Sequence, residues 1–211
     1  MAAQVNTGTD DGVLDPDTFT FGFTGTAGNL LIIDAFTHAI GFATPSGWTL
    51  DASEFNSTEN DLQVRFSKIS DGTESSITVD LSTAVGWTGI VREWSGITQT
   101  VDDSTTVART TSVSALLSGT VTTTVDDTLI IAAVSKRAVT TAESWNSSFI
   151  NALEHDRAAS PISIASATRL VAATGSFSTT HSWTTATTVM GIIVAYKGVV
   201  DVEFAFGGRF K

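Results

Sequence analysis

An all-β fold, a single jelly-roll-like β-sandwich of about ten to twelve strands with internal pseudo-twofold duplication, is what this sequence predicts. Three observations lead to it. Apolar and polar residues alternate in many short runs, and no segment holds a helical period beyond about two turns. Thr and Ser crowd the chain, as in Thr120-Val121-Thr122-Thr123-Thr124, and Thr packs well on a pleated strand because its β-branch is stiff. The chain also repeats itself. Gly28-Asn29-Leu30-Leu31-Ile32-Ile33 is echoed by Asp127-Thr128-Leu129-Ile130-Ile131-Ala132, and the run from Gly89 to Ile97 by that from Gly191 to Val199. Gly47-Trp48-Thr49-Leu50 has a looser counterpart around Trp145. These matches recur in order about 100 residues apart, a period too long for a solenoid and suited to half of a large sandwich.

Residues 1–18 are small, polar and acidic and read as an N-terminal arm. An Asp-rich loop can bind calcium through oxygen ligands, but this spacing fits no calcium-loop pattern, and no metal or cofactor is expected. The sandwich is expected over residues 19–199, with halves at about 28–97 and 127–199. Thr18-Phe19-Thr20-Phe21-Gly22-Phe23 places three Phe on one strand face. Residues 30–36 form an apolar run broken only by Asp34, as in a strand buried on both sides. After the turn Thr44-Pro45-Ser46-Gly47, Trp48 opens the next strand. Residues 62–69 alternate most cleanly, with four apolar residues inward and four polar outward. Asp71-Gly72 then predicts a hairpin to residues 76–81, and residues 87–94 close the first half. The second half repeats this over 129–134, 149–153, 162–170, 176–183 and 188–196. Residues 146–157 are the one stretch with helical potential, and 97–118 read as a crossing connection with short strands. Residues 200–211 form a terminal strand or tail outside the repeat. No linker separates the halves, so one domain is expected.

The formal net charge of −11 disfavours nucleic acid, whose binding needs Lys and Arg, and adsorption to anionic membranes. Cysteine is absent, so no thiolate ligand or nucleophile is available. The N-terminus lacks the pattern of a signal peptide, which points to synthesis in a cytoplasm. His38, His155 and His181 are scattered. In Glu154-His155-Asp156-Arg157 neighbouring side chains on a strand diverge, so no general base is expected there. No G-x-S-x-G elbow occurs. Paired glycosidase carboxylates are not evident, and Glu93 reads as an outward residue beside Arg92.

The five Trp could form a sugar-stacking platform. Trp48 with Trp145, and Trp94 with Tyr196, fall at matching places in the two halves, as core positions would. Trp87 and Trp183 correspond less closely and are the candidate glycan contacts.

The strings G-N-L-L-I-I (28–33), P-S-G-W-T-L (45–50), V-R-F-S-K-I-S-D-G-T-E (64–74) and W-S-G-I (94–97) resemble β-sandwich modules of tailed-bacteriophage virion proteins. The resemblance covers the first half well and the second weakly. It implies a module type without catalytic residues. It further implies a non-enzymatic structural protein of the virion, most readily a capsid-exterior decoration or cement protein binding the major capsid protein and itself. The alternative is a tail-associated receptor- or carbohydrate-binding module contacting a host-surface glycan. Partner contacts are expected from the unrepeated pieces: Asp10, Asp11 and Asp15 in the arm, Asp102 and Asp103 in the connection, and Val202, Phe204, Phe206, Arg209 and Phe210 in the tail.

Overall fold

The computed structural model describes residues 1–199 apart from Ser147; the tail contacts expected at Val202, Phe204, Phe206, Arg209 and Phe210 lie outside the described residues. Fifteen strands and no helix make up the described chain. The first seven are β1 (Ala3–Gly12), β2 (Asp17–Thr20), β3 (Leu30–Thr37), β4 (Thr49–Asn56), β5 (Asp61–Ile69), β6 (Ser76–Val79) and β7 (Trp87–Ser95). They are followed by β8 (Ile97–Leu117), β9 (Val121–Thr123), β10 (Thr128–Lys136), β11 (Ser144–Trp145), β12 (Ile150–Arg157), β13 (Ile162–Val171), β14 (Gly175–Phe177) and β15 (Thr180–Gly198). The region with helical potential is thus strand β12, held by antiparallel pairing to β13.

The duplication governs the topology. One antiparallel sheet has the order β1-β7-β3-β5-β4, and the other runs β8-β15-β10-β13-β12, with β11 also on β15. Each repeat adds a two-stranded layer, β2 with β6 and β9 with β14. Register equates the repeats residue by residue. Leu30 pairs with Trp94 as Leu129 pairs with Tyr196, so Trp94 and Tyr196 correspond as expected. The same register sets Trp87 against Val189 rather than Trp183.

Trp48 is matched by Phe149, not Trp145. Each follows a positive-φ residue, Gly47 (79°) or Ser148 (63°), and each amide bonds back three residues, Trp48 to Pro45 O at 3.0 Å and Phe149 to Asn146 O at 3.5 Å. Both are buried, whereas Trp145 is half-buried.

The segments read as an arm and as a connection with short strands are both long strands. Residues 3–12 are not a free arm: β1 pairs along β7. Residues 97–117 form one 21-residue strand along the 19-residue β15, with bulges absorbing the twist. Since β1 and β8 occupy the same place in their sheets, both belong to the repeat. The turn at Asp71-Gly72 makes no hairpin either. It carries the chain from β5 in the large sheet to β6, which pairs with β2.

The two large sheets stack face to face. Leu30, Ile32 and Trp94 meet Leu129, Ile131, Ile192 and Tyr196 in one cluster, and Phe36 and Ile90 meet Ile162, Ile164 and Met190 in another. The opposite faces are covered within each repeat. Leu31 and Ile33 pack under Phe19, Phe21, Ile77 and Val79, while Ile130 and Ala132 pack under Val121, Phe149 and Phe177. Strand β3 is therefore buried at every residue, as its apolar run predicts. Covering both faces also overturns the outward reading of β5, whose Gln63, Arg65 and Ser67 point into the interface between repeats and are fully buried.

Candidate functional site

The expected contact residues also make bonds within the chain, and Asp11 and Asp15 stay exposed. Asp10 accepts the Thr20 amide at 2.7 Å, and Asp11 pairs with His155 (3.1 Å) and Arg157 Nε (3.3 Å) of the second repeat. Asp15 accepts the Leu81 amide at 3.0 Å. Asp102 holds the Thr124 amide at 2.6 Å and Lys197 at 3.3 Å, and Asp103 holds the Thr122 amide at 2.7 Å. Asp10, Asp102 and Asp103 tie the first strand of each repeat to its own fold, while Asp11 reaches across to the second repeat. The candidate glycan contacts are Trp87 and Trp183. Trp87 and Trp183 are 0% and 5% exposed, so neither presents a ring face to solvent.

Glu93 is not outward. It is buried and accepts bonds from Asn6 Nδ2 (2.5 Å), Asn29 Nδ2 (2.7 Å) and the Thr26 amide (2.8 Å). Burial pushes its pKa up, but these donors outweigh burial and hold it below the usual carboxylate range. Arg92 points the other way, into the stack, and donates to Ser166 Oγ (2.9 Å), Ser166 O (2.9 Å) and Asn151 O (2.8 Å).

A group of interacting titratable side chains lies on the outer face of the second repeat. Lys136 ends β10, on the face that carries Ile130, Ala132 and Val134. Its ammonium is fully buried, contacts Glu143 Oε1, donates to Thr140 Oγ1 at 2.9 Å and lies 3.5 Å from Glu154 Oε1. The loop from 137 to 143 folds over the sheet to bring Glu143 there, while Glu154 comes from β12 and His181 from β15.

His181 Nε2 lies 2.9 Å from Glu143 Oε2 without hydrogen-bond alignment, and both ring nitrogens lack a hydrogen-bond partner among the described residues. Trp145 stacks on His181 at 4.3 Å, and the Trp183 ring lies 5.5 Å from the Lys136 ammonium. A cavity of about 180 Å³ opens between Glu143, Trp145, Leu153, Glu154 and His181.

The charges are split across the acid pair. Burial and the adjoining Glu143 raise Glu154 well above the ordinary carboxyl range. Burial also pushes Glu143 upward, but the adjoining His181, Glu154, Lys136 and Thr140 groups prevail and hold it low. One proton thus sits on Glu154 beside an ionised Glu143, the pattern expected when two carboxyl groups share a site. Burial lowers His181 and favours its neutral ring. The arrangement can store a proton and hold an amine against a carboxyl group.

Nothing in the fold requires it. The register places Thr37 where Lys136 stands, and Thr37 simply donates to Gly86 O at 3.1 Å. The same outer face of the first repeat is filled by Leu62, Leu81, Phe42 and Trp87. Sequence reasoning missed the cluster because its members come from three strands and a loop. The available signal was a Lys ending an otherwise apolar strand whose repeat partner is Thr. Neighbouring side chains diverge along β12: Glu154 turns to Lys136, and His155 to Asp11.

Among the described residues, no group of three or more His, Cys, Asp or Glu is arranged to hold a metal ion. Comparison of the chain with protein-family models, curated proteins and solved structures finds no match.

Proposed function

We propose that this chain is a non-enzymatic structural protein of a tailed-bacteriophage virion, a decoration or cement protein on the capsid exterior that binds the major capsid protein. The observation that supports the reading most is where the family-like strings fall. Gly28 takes a positive φ at the entry to β3, Pro45 to Trp48 form the turn before β4, and Trp94-Ser95-Gly96 ends β7 at another positive φ. Lys68 pairs with Glu74 at 2.5 Å across the Asp71-Gly72 turn. All four strings are framework of the repeated sandwich, which is what a resemblance of module type should preserve. The Asp-rich strands are used to brace the particle-facing module itself, and self-association with neighbouring copies would add to the contact with the shell. A receptor- or glycan-binding role on the tail is weaker, because Trp87 and Trp183 are buried.

The test is to purify intact particles that carry this chain and label them with an antibody against it. Decoration of the shell exterior, at many copies per particle, is the expected result. Labelling confined to the tail tip would favour the receptor-binding role, and recovery only from host cytoplasm would defeat both.

A further inference from the structure

We propose that Lys136 and Glu143 condense into an intramolecular amide, with Glu154 as the acid that promotes it. This inference stands on the cluster alone and is independent of where the protein assembles. The amine is fully buried, in contact with the Glu143 carboxyl group, and confined by Thr140, Glu154 and the Trp183 ring. Lys136 Nζ is buried and held against the Glu143 carboxyl group, the placement an amide bond between them requires. Proximity supplies the rest, since well-oriented intramolecular reactions reach effective molarities on the order of 10⁵ M or more.

The step balances without a co-reactant. The Lys136 ammonium passes a proton to the Glu143 carboxylate, and the free amine then attacks Cδ. A C–N bond forms and one C–O bond breaks. Glu154 donates a proton to the departing oxygen and takes one back from the nitrogen, ending unchanged. Ammonium and carboxylate have become one amide and one water, with nothing oxidised or reduced. The cavity bounded by Glu143, Glu154 and His181 lies where that water is released. His181 and Glu143 Oε2, both without hydrogen-bond partners, line it. The first repeat carries Thr37 at the Lys136 position, so only the second repeat can make the bond.

Intact-mass measurement of the folded full chain tests this. The expected mass is that of the sequence less one water. After trypsin, peptide 110–137 should appear joined to peptide 138–157, because cleavage at Arg137 separates the two backbones while the new amide holds them together. A mass equal to that of the sequence overturns the proposal. So does a missing water that maps elsewhere, for instance to a cyclised Asp11-Gly12 or Asp71-Gly72. Glu154→Gln, nearly isosteric, should lose at least nine-tenths of the linked peptide, and full linkage in that variant would overturn the role given to Glu154. The wild-type mass decides the bond whether or not the variant folds.

Discussion

Single side chains divide according to which faces of the sheets are covered. Arg65 donates to Asp34 Oδ1 (2.7 Å) and Ile131 O (2.7 Å) in the middle of the stack, where no water can replace a lost partner. Asp34→Ala should therefore cost about 3–5 kcal/mol in urea unfolding, because it strands a buried guanidinium. Pairing it with Arg65→Met should recover much of that loss, since an apolar replacement leaves no orphaned charge. Glu74 makes the pH prediction. Burial raises it, but Lys68, Ser70 and the Asp71 amide bring it down to about 2 from 4.5. A depressed carboxyl group contributes stability above its unfolded pKa and loses it as pH falls toward the folded value. Wild type should lose stability relative to Glu74→Gln between about pH 4.5 and pH 2, measured as the change in unfolding midpoint. An equal pH response in both proteins would contradict the assignment. At this scale the sequence was partly legible. It marked Trp94 and Tyr196 as core, yet it could not distinguish Glu93 and Arg65 from surface residues. Alternation reports two faces of a strand and is silent on whether the second is also covered.

Strand character depends on what a segment pairs with as much as on its own pattern. The apolar runs at β3 and β10, and the alternation at β5, were legible because burial shaped their composition. β1, with the sequence AQVNTGTDDG, carries no apolar alternation and is a strand because β7 offers it a ladder. The long β8 was hidden in the same way by Thr, Ser and Asp. Their equivalence in the two sheets explains why a Thr-rich, acidic segment opens each repeat. The fit of β1 is tight at Gly8, where an added Cβ would sit 2.0 Å from Phe21 O. Gly8→Ala should destabilise the protein by about 1–3 kcal/mol through forced displacement of the strand, read from denaturant unfolding. A neutral effect would show that β1 is not seated as described.

The described residues form two repeats whose large sheets share a buried interface. Equivalent edges cross over: Asp11 of β1 reaches His155 of β12, and Gln99 of β8 reaches Thr49 of β4 at 3.0 Å. Tyr196 donates to Asp51 at 2.6 Å across the same stack. Neither repeat can bury Leu30, Ile32, Leu129 and Ile131 alone. The full chain should accordingly unfold in one cooperative transition, and residues 1–96 expressed alone should give none. Two separate transitions would contradict the shared core. The duplication was readable from Gly28 and Asp127 onward, but its true extent, from β1 and from β8, was not. The Lys136 cluster was invisible for the opposite reason, since it is the place where the second repeat departs from the first. A repeated scaffold that spends its acids on its own strands is consistent with the proposed role in a virion shell. The most direct test is electron cryo-microscopy of intact particles carrying this chain. The expected result is two-lobed, pseudo-twofold density of this fold at repeated positions on the capsid exterior. Particles fully assembled without that density, with the protein left in the host lysate, would contradict it.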